Sequence, residues 1–278
     1  MLLEIQNLSK VYGVSCGECL DLTGVADDSC ICPVCDSVVA MNRVSLSLDG
    51  KEVLGIVGES GSGKSTLLQL IYQDQCPDNG RIFYNGFCDR HGVPLNIFEA
   101  SVSECSVLRN KEMSMIYQNP RMGLNYLFSA GGNIAEKIIG AGERSYEVVR
   151  NRVIELMGRL ELPTSRVDNY PDTFSGGQQQ RIQIAKALSS SPKLLLLDEP
   201  TTGLDLSVQA KLLDLIKELQ KEMGFAMIIV SHDLGVINHL TDVTMVMKHG
   251  CLVEYGLTDQ ILEDPQQPYT QLLVSSIL

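Results

Sequence analysis

Positive charge is scarce in this chain of 278 residues: 22 Lys and Arg stand against 34 Asp and Glu, a net charge of −12 at neutral pH. That balance repels phosphate backbones and anionic membrane surfaces, so no nucleic-acid partner is expected. Long apolar runs are also missing. None approaches the roughly 20 residues that a bilayer crossing needs, which argues against direct membrane insertion. The opening Met1-Leu2-Leu3-Glu4-Ile5-Gln6 lacks the basic segment and apolar stretch of a secretory signal, so the expected location is cytoplasmic. There is no internal repeat. What remains is an ordinary globular composition, 44% hydrophobic and 20% charged, long enough to fill a core without disulfides. In the expected compartment the nine cysteines read as thiols or metal ligands, and five of them crowd into residues 16–35.

Apolar periodicity gives a β-rich start, a polar and helical middle, and a final stretch in which strands and helices alternate. Residues 43–48 and 52–57 read as strands joined at Asp49-Gly50, a dipeptide suited to the positive φ of a tight hairpin turn. A glycine-rich loop follows, then a helix over 65–71. Val149, Val153, Leu156, Met157 and Leu160 recur at helical spacing over 146–160, with Pro163 beyond the end. The run 194–197, closed by Asp198 and Glu199, suits a strand buried on both faces of a parallel sheet. Ser207 can cap a helix running to Met223, with Gly224 stopping it and a buried strand over 225–230 after it. A further strand is expected over 113–117. The fold class is α/β.

Gly58-Glu59-Ser60-Gly61-Ser62-Gly63-Lys64-Ser65 satisfies G-x-x-x-x-G-K-[ST] and lies between an expected strand and an expected helix. Glycines let successive N–H groups turn inward, and the helix start adds positive potential where phosphates sit. In that pattern Lys64 reaches the β- and γ-phosphates of a nucleotide, and the Ser65 hydroxyl ligates magnesium. Asp198 at a strand end can hold magnesium through water, with Glu199 beside it to accept a proton from an attacking water. Ser175-Gly176-Gly177-Gln178 opens another helix, where Ser175 is a natural cap and the two glycines allow close approach of an anion.

These three motifs, in this order, resemble an ABC-type ATPase. The resemblance implies a P-loop fold with a mainly parallel sheet core, an antiparallel β subdomain and a helical subdomain. On this chain that means a core of 1–118 and 191–278, a helical part at 119–190 and an insert at 13–40. It implies ATP and Mg2+ as ligands, contacted by residues 58–65, Thr66, Gln118, Asp198 and Asp205, and a head-to-tail homodimer. In that pair, Ser175, Gly176, Gly177 and Gln178 of one copy complete the ATP site of the other. Gln118 matches the family's magnesium-sensing glutamine, His232 the histidine at the γ-phosphate, and Tyr12 the aromatic that stacks on adenine. Ser129-Ala130-Gly131-Gly132-Asn133, Arg144-Ser145-Tyr146 and the ending around Pro268-Tyr269-Thr270 are similar to the ATP-binding subunit of bacterial carbon–phosphorus lyase systems. That likeness implies docking on the soluble core subunits that break phosphonates. Oligopeptide and dipeptide importer ATPases share the Pro-Tyr-Thr segment and form the alternative, though they normally continue further where this chain stops at Leu278.

Between Tyr12 and residue 43 such a domain needs only a short loop. Here Cys16, Cys19, Cys32 and Cys35 form C-x2-C-x12-C-x2-C, two thiolate pairs that can share one tetrahedral ion, with Cys30 to spare. The spacing favours zinc; an iron–sulfur cluster competes, and a flexible loop of free or redox-active thiols is the remaining alternative. Residues 20–29 are acidic and polar and are expected to lack the apolar surface to order themselves without a metal. Cys76, Cys88, Cys105 and Cys251 show no ligand spacing and read as partly buried hydrophobes. His91, His239 and His249 read as structural.

Overall fold

Leu3, Ile5 and Leu8 are buried while Gln6 and Asn7 face solvent, the alternation of a half-buried strand. The computed structural model, which describes residues 1–276, has ten strands, some half-buried like this one and others buried on both faces. They are β1 (Leu3–Tyr12), β2 (Val38–Leu48), β3 (Val53–Val57), β4 (Asn79–Cys88), β5 (Pro94–Asn96), β6 (Met113–Ile116), β7 (Leu194–Asp198), β8 (Ala226–Val230), β9 (Val243–Lys248) and β10 (Cys251–Leu257). The chain divides into two units, Met1–Ser101 with the segment from Ile228 onward, and Val102–Met227.

The first unit holds an antiparallel sheet in the order β2-β1-β4-β5. It also holds β3 running parallel to β9, Leu54 opposite Val243, with β9 returning antiparallel as β10. In the second unit β6 and β7 run parallel, Met113 opposite Leu194, and every residue of both is buried. The rest of that unit is mainly helical. The helix Ala130–Gly140 packs against the helices Tyr146–Arg159 and Gly176–Leu188. Its buried Asn133 takes the Asn125 N–H at 2.7 Å and donates to the carbonyls of Asn125, Phe128 and Ser129. No helix among the described residues is long and apolar enough to cross a membrane.

The α/β class holds, with an antiparallel sheet, parallel strand pairs and a helical segment. Three local expectations need correction. Residues 43–48 and 52–57 are not a hairpin: β2 pairs with β1, whereas β3 joins β9 in the other sheet. The corner turns through Lys51 at φ 76°, not through Gly50, and sends the two strands into different sheets. The helix Leu206–Met223 starts after Asp205 rather than at Ser207, while Gly224 ends it as expected at φ 68°. Residues 20–29 do bring apolar surface: Leu20 and Leu22 pack on a small core of Cys19, Cys32 and Val39.

Candidate nucleotide site and cysteine cluster

β3, wholly buried, delivers the chain to Gly58. Gly58 and Gly63 hold φ of 150° and 102°. A Cβ at Gly58 would overlap the Met247 carbonyl oxygen, and one at Gly63 that of Ala40, so the bends require glycine. The buried Lys64 ammonium donates to the carbonyls of Gly58 and Glu59, both at 2.7 Å, and to Ser62 Oγ at 3.3 Å. The loop is thus curled around its own lysine. Glu59, Ser60 and Gly61 face solvent, Ser65 is exposed at the start of the helix Lys64–Ile71, and Thr66 is half-buried. A glycine-bent loop that runs into a helix start is a backbone suited to an anion.

In the second unit Asp198 ends β7 almost fully buried. Glu199 follows with φ 44°, a left-handed backbone uncommon in a non-glycine residue. Its Oε2 accepts from Gln118 Nε2 and from Thr202 Oγ1, each at 3.0 Å. Gln118 is itself set by its neighbour Tyr117, whose N–H donates to Gln183 Oε1 at 2.8 Å and whose carbonyl accepts from Gln183 Nε2 at 3.1 Å. Sequence reasoning missed Thr202 and Gln183. The turn spacing after Glu199 could have flagged the first, and a glutamine set between Ile182 and Ile184 in an apolar stretch of helix the second.

Ser175 caps the helix Gly176–Leu188 in a full capping box: its Oγ accepts the Gln178 N–H, and Gln178 Oε1 accepts the Ser175 N–H at 3.2 Å. An open hollow of about 470 Å3 is lined by Ser175, Gly176, Gly177 and Gln178 together with Gly203, Leu204, Asp205, Val208, Glu161 and Arg181. The expected signature and Asp205 therefore share one concavity. On its rim Arg181 bonds Glu161 at 2.6 Å and holds that carboxyl below its usual range. In the first unit His232 is exposed just beyond β8. Tyr12, 40% exposed, closes β1 and donates its hydroxyl to Gln75 Oε1 at 2.6 Å.

Tyr12 pairs with Val38 across the β1–β2 ladder, so the cysteine insert is the connection between two adjacent strand ends. All nine cysteines are unbridged. The sulfurs of Cys16, Cys19, Cys32 and Cys35 lie within 4.8 Å of one another. Cys16 is 3.6 Å from Cys19 and 3.7 Å from Cys32, and Cys19 is 3.4 Å from Cys35. Hydrogen bonding to Ser37, by side chain and then backbone, draws the Cys35 thiol down to about 6. The Glu18 amide favours the Cys16 thiolate, but desolvation and the three neighbouring sulfurs outweigh it and push that thiol up to about 12. Four sulfurs this close do not all ionise unless a cation joins them; with one, they form a ligand set able to bind a metal. Cys30 stands outside the group and offers its carbonyl to the Val39 N–H at 2.7 Å. Cys76 and Cys88 are exposed rather than partly buried. His249 Nε2 sits 3.3 Å from Asp28 Oδ1.

Residues 41–202 match the ABC transporter family, and the chain belongs to it: it is an ABC-type ATPase, an ATP-binding subunit of an ABC system. It is 48% identical over 235 residues to PhnK of Escherichia coli (strain K12), named as a phosphonates utilization ATP-binding protein, covering 84% of this chain and 90% of that one. The dipeptide transport ATP-binding protein DppF of Haemophilus influenzae is 38% identical, covering 86% of this chain and 70% of its own. The oligopeptide transport ATP-binding protein OppD of Bacillus subtilis is 40% identical, covering 86% and 67%. Among solved structures, the dimeric post-hydrolysis state of the ATP-binding cassette MJ0796, bound to ADP and Pi, superposes with a TM-score of 0.76 at 26% identity over 92% of this chain and 99% of that one.

Proposed function

We propose that this chain is the ATP-hydrolysing subunit of a carbon–phosphorus lyase system, a cytoplasmic head-to-tail homodimer that docks on the enzyme complex for phosphonate breakdown. The observation that carries this reading is the 48% identity to PhnK over 90% of its length, against 38% and 40% for the two peptide-transport proteins, of which 70% and 67% are covered.

In this reading Lys64 and the residues 58–65, with Thr66, hold the phosphates of ATP, and the partly exposed Tyr12 stacks on adenine. The oxygen donors Ser65 and Asp198, with Gln118, suit magnesium, which when bound neutralises charge on the phosphates. Glu199, oriented by Gln118 and Thr202, takes the proton of the attacking water, and His232 contacts the γ-phosphate. Ser175, Gly176, Gly177, Gln178 and Asp205 present their hollow to the nucleotide of the second copy. Glu199→Gln keeps shape and hydrogen bonds but removes the base, so steady-state hydrolysis should fall by ~10²–10⁴-fold with ATP binding intact. Turnover at the wild-type rate would remove Glu199 from this role. Affinity purification without detergent tests the partner: soluble phosphonate-metabolising subunits support the reading, and integral membrane proteins alone support a peptide importer instead.

The cysteine insert, in the same reading, binds one Zn2+ through Cys16, Cys19, Cys32 and Cys35. A tetrahedron with metal–sulfur bonds of about 2.3 Å has edges of about 3.8 Å, close to the separations of these sulfurs. An iron–sulfur cluster, with irons and sulfides between its ligands, needs them farther apart. Elemental analysis should find one zinc per chain, and a brown protein would move the assignment to iron.

A further inference from the structure

The insert is joined to the phosphate loop through one short turn. β9 and β10 are connected by His249 and Gly250, with φ of 47° and 76°, a two-residue hairpin turn of fixed shape. On one side of this turn lies the insert. Asp28 forms an ion pair with Lys248 and approaches His249, while Asn42 donates its N–H to the Gly250 carbonyl at 2.8 Å and its side-chain amide to the carbonyls of Leu20 and Thr23. On the other side lies the phosphate loop, where the Gly250 N–H donates to the Ser62 carbonyl at 3.1 Å. A second thread runs beside the first. The Lys248 ammonium sits 5.1 Å from the centre of the Tyr269 ring, and the Tyr269 hydroxyl accepts the Glu59 N–H at 3.1 Å. Ala40, in β2 just past the knuckle, places its carbonyl where Gly63 must lack a side chain.

We propose that the metal-tied insert is a positioning element for the phosphate loop, acting through Asp28, the Lys248–Gly250 turn and Tyr269, so that metal in the insert raises affinity for ATP. The proposal rests on the metal reading above. Ordering the insert fixes Asp28; Asp28 holds Lys248 against the Tyr269 ring; the Tyr269 hydroxyl and the Ser62 carbonyl then set the two ends of the curl around Lys64. None of these groups takes part in the hydrolytic step, so the effect belongs to binding of ATP and not to turnover of bound ATP.

The test uses the full chain. Zinc is removed with a chelator, the chelator is dialysed away, magnesium is restored, and ATP affinity is measured before and after adding zinc back. Loss of zinc should weaken ATP binding roughly three- to tenfold, reversed by zinc, the size usual for coupling through a few polar contacts. Asp28→Asn should retain one zinc, raise KM for ATP in the same range and leave kcat at saturating ATP unchanged, with partial rescue in Asp28→Glu. Tyr269→Phe should shift KM in the same direction. Equal ATP affinity with and without zinc, or wild-type KM in Asp28→Asn with zinc bound, overturns this proposal while leaving the metal site standing. Protein that takes up no metal at all removes the metal site and this proposal with it. If the metal-free chain fails to fold, Asp28→Asn decides alone.

Discussion

At the scale of single residues the candidate catalytic carboxylate is held by its neighbours as much as by its own strand. Glu199 sits at positive φ, and two donors, Gln118 and Thr202, share one of its oxygens. Thr202→Val removes one donor at nearly constant volume. An intramolecular hydrogen bond contributes about 1 kcal/mol net, so kcat should fall several-fold with ATP affinity unchanged, as steady-state kinetics would register. An unaltered kcat would make the Thr202 contact incidental. Gln183 carries a larger consequence. It is buried and satisfies both backbone groups of Tyr117. Gln183→Ala removes the side chain that bonds both backbone groups of Tyr117 and opens a gap in the interior, which should cost about 1–3 kcal/mol, read as a lower denaturant midpoint.

Elements carry the second level of argument. The helix Gly176–Leu188 begins with a reciprocal cap and ends its buried face with Ile182, Gln183, Ile184, Ala185, Ala187 and Leu188. Because the cap satisfies N–H groups that no helical carbonyl reaches, Ser175→Ala should cost about 1 kcal/mol of stability. Urea denaturation should show a lower midpoint with an unchanged m value, and a shifted m value would point to a disturbed unfolded or native state instead. The same element presents Ser175, Gly176 and Gly177 to the hollow shared with Asp205, so its cap and its expected recognition edge are one stretch of backbone.

Pairing of copies belongs to the scale of the whole molecule. A Cβ at Gly176 meets nothing within 4 Å and its φ is not positive, so Gly176→Arg fits the single chain without strain. In a head-to-tail pair the same arginine would fill the space needed by the other copy's nucleotide. Glu199→Gln with ATP should therefore sediment as a dimer, whereas Glu199→Gln combined with Gly176→Arg should remain monomeric and bind ATP with unaltered affinity. A dimer from the double variant would exclude this face from the pairing.

Much of this protein could be read from neighbouring residues. Glycine spacing defined the bend of the loop around Lys64; apolar periodicity defined the helix Tyr146–Arg159 and the buried strand β7; Ser175 before two glycines defined a cap; two C-x2-C pairs defined a cluster of sulfurs. Each depends on residues within a few turns of one another or within the single connection between two neighbouring strands, where chain connectivity does most of the ordering. Tertiary structure decided the rest. Asp49-Gly50 carries a hairpin signal, yet β2 and β3 separate, because strand pairing is settled by the whole set of available edges and not by the turn between two strands. The partners that hold Tyr117, Glu59 and Lys248 lie 66, 210 and 220 residues away along the chain. No local pattern encodes contacts at such separations, since they exist only once the loops between them have closed and their entropy has been offset by the packed core.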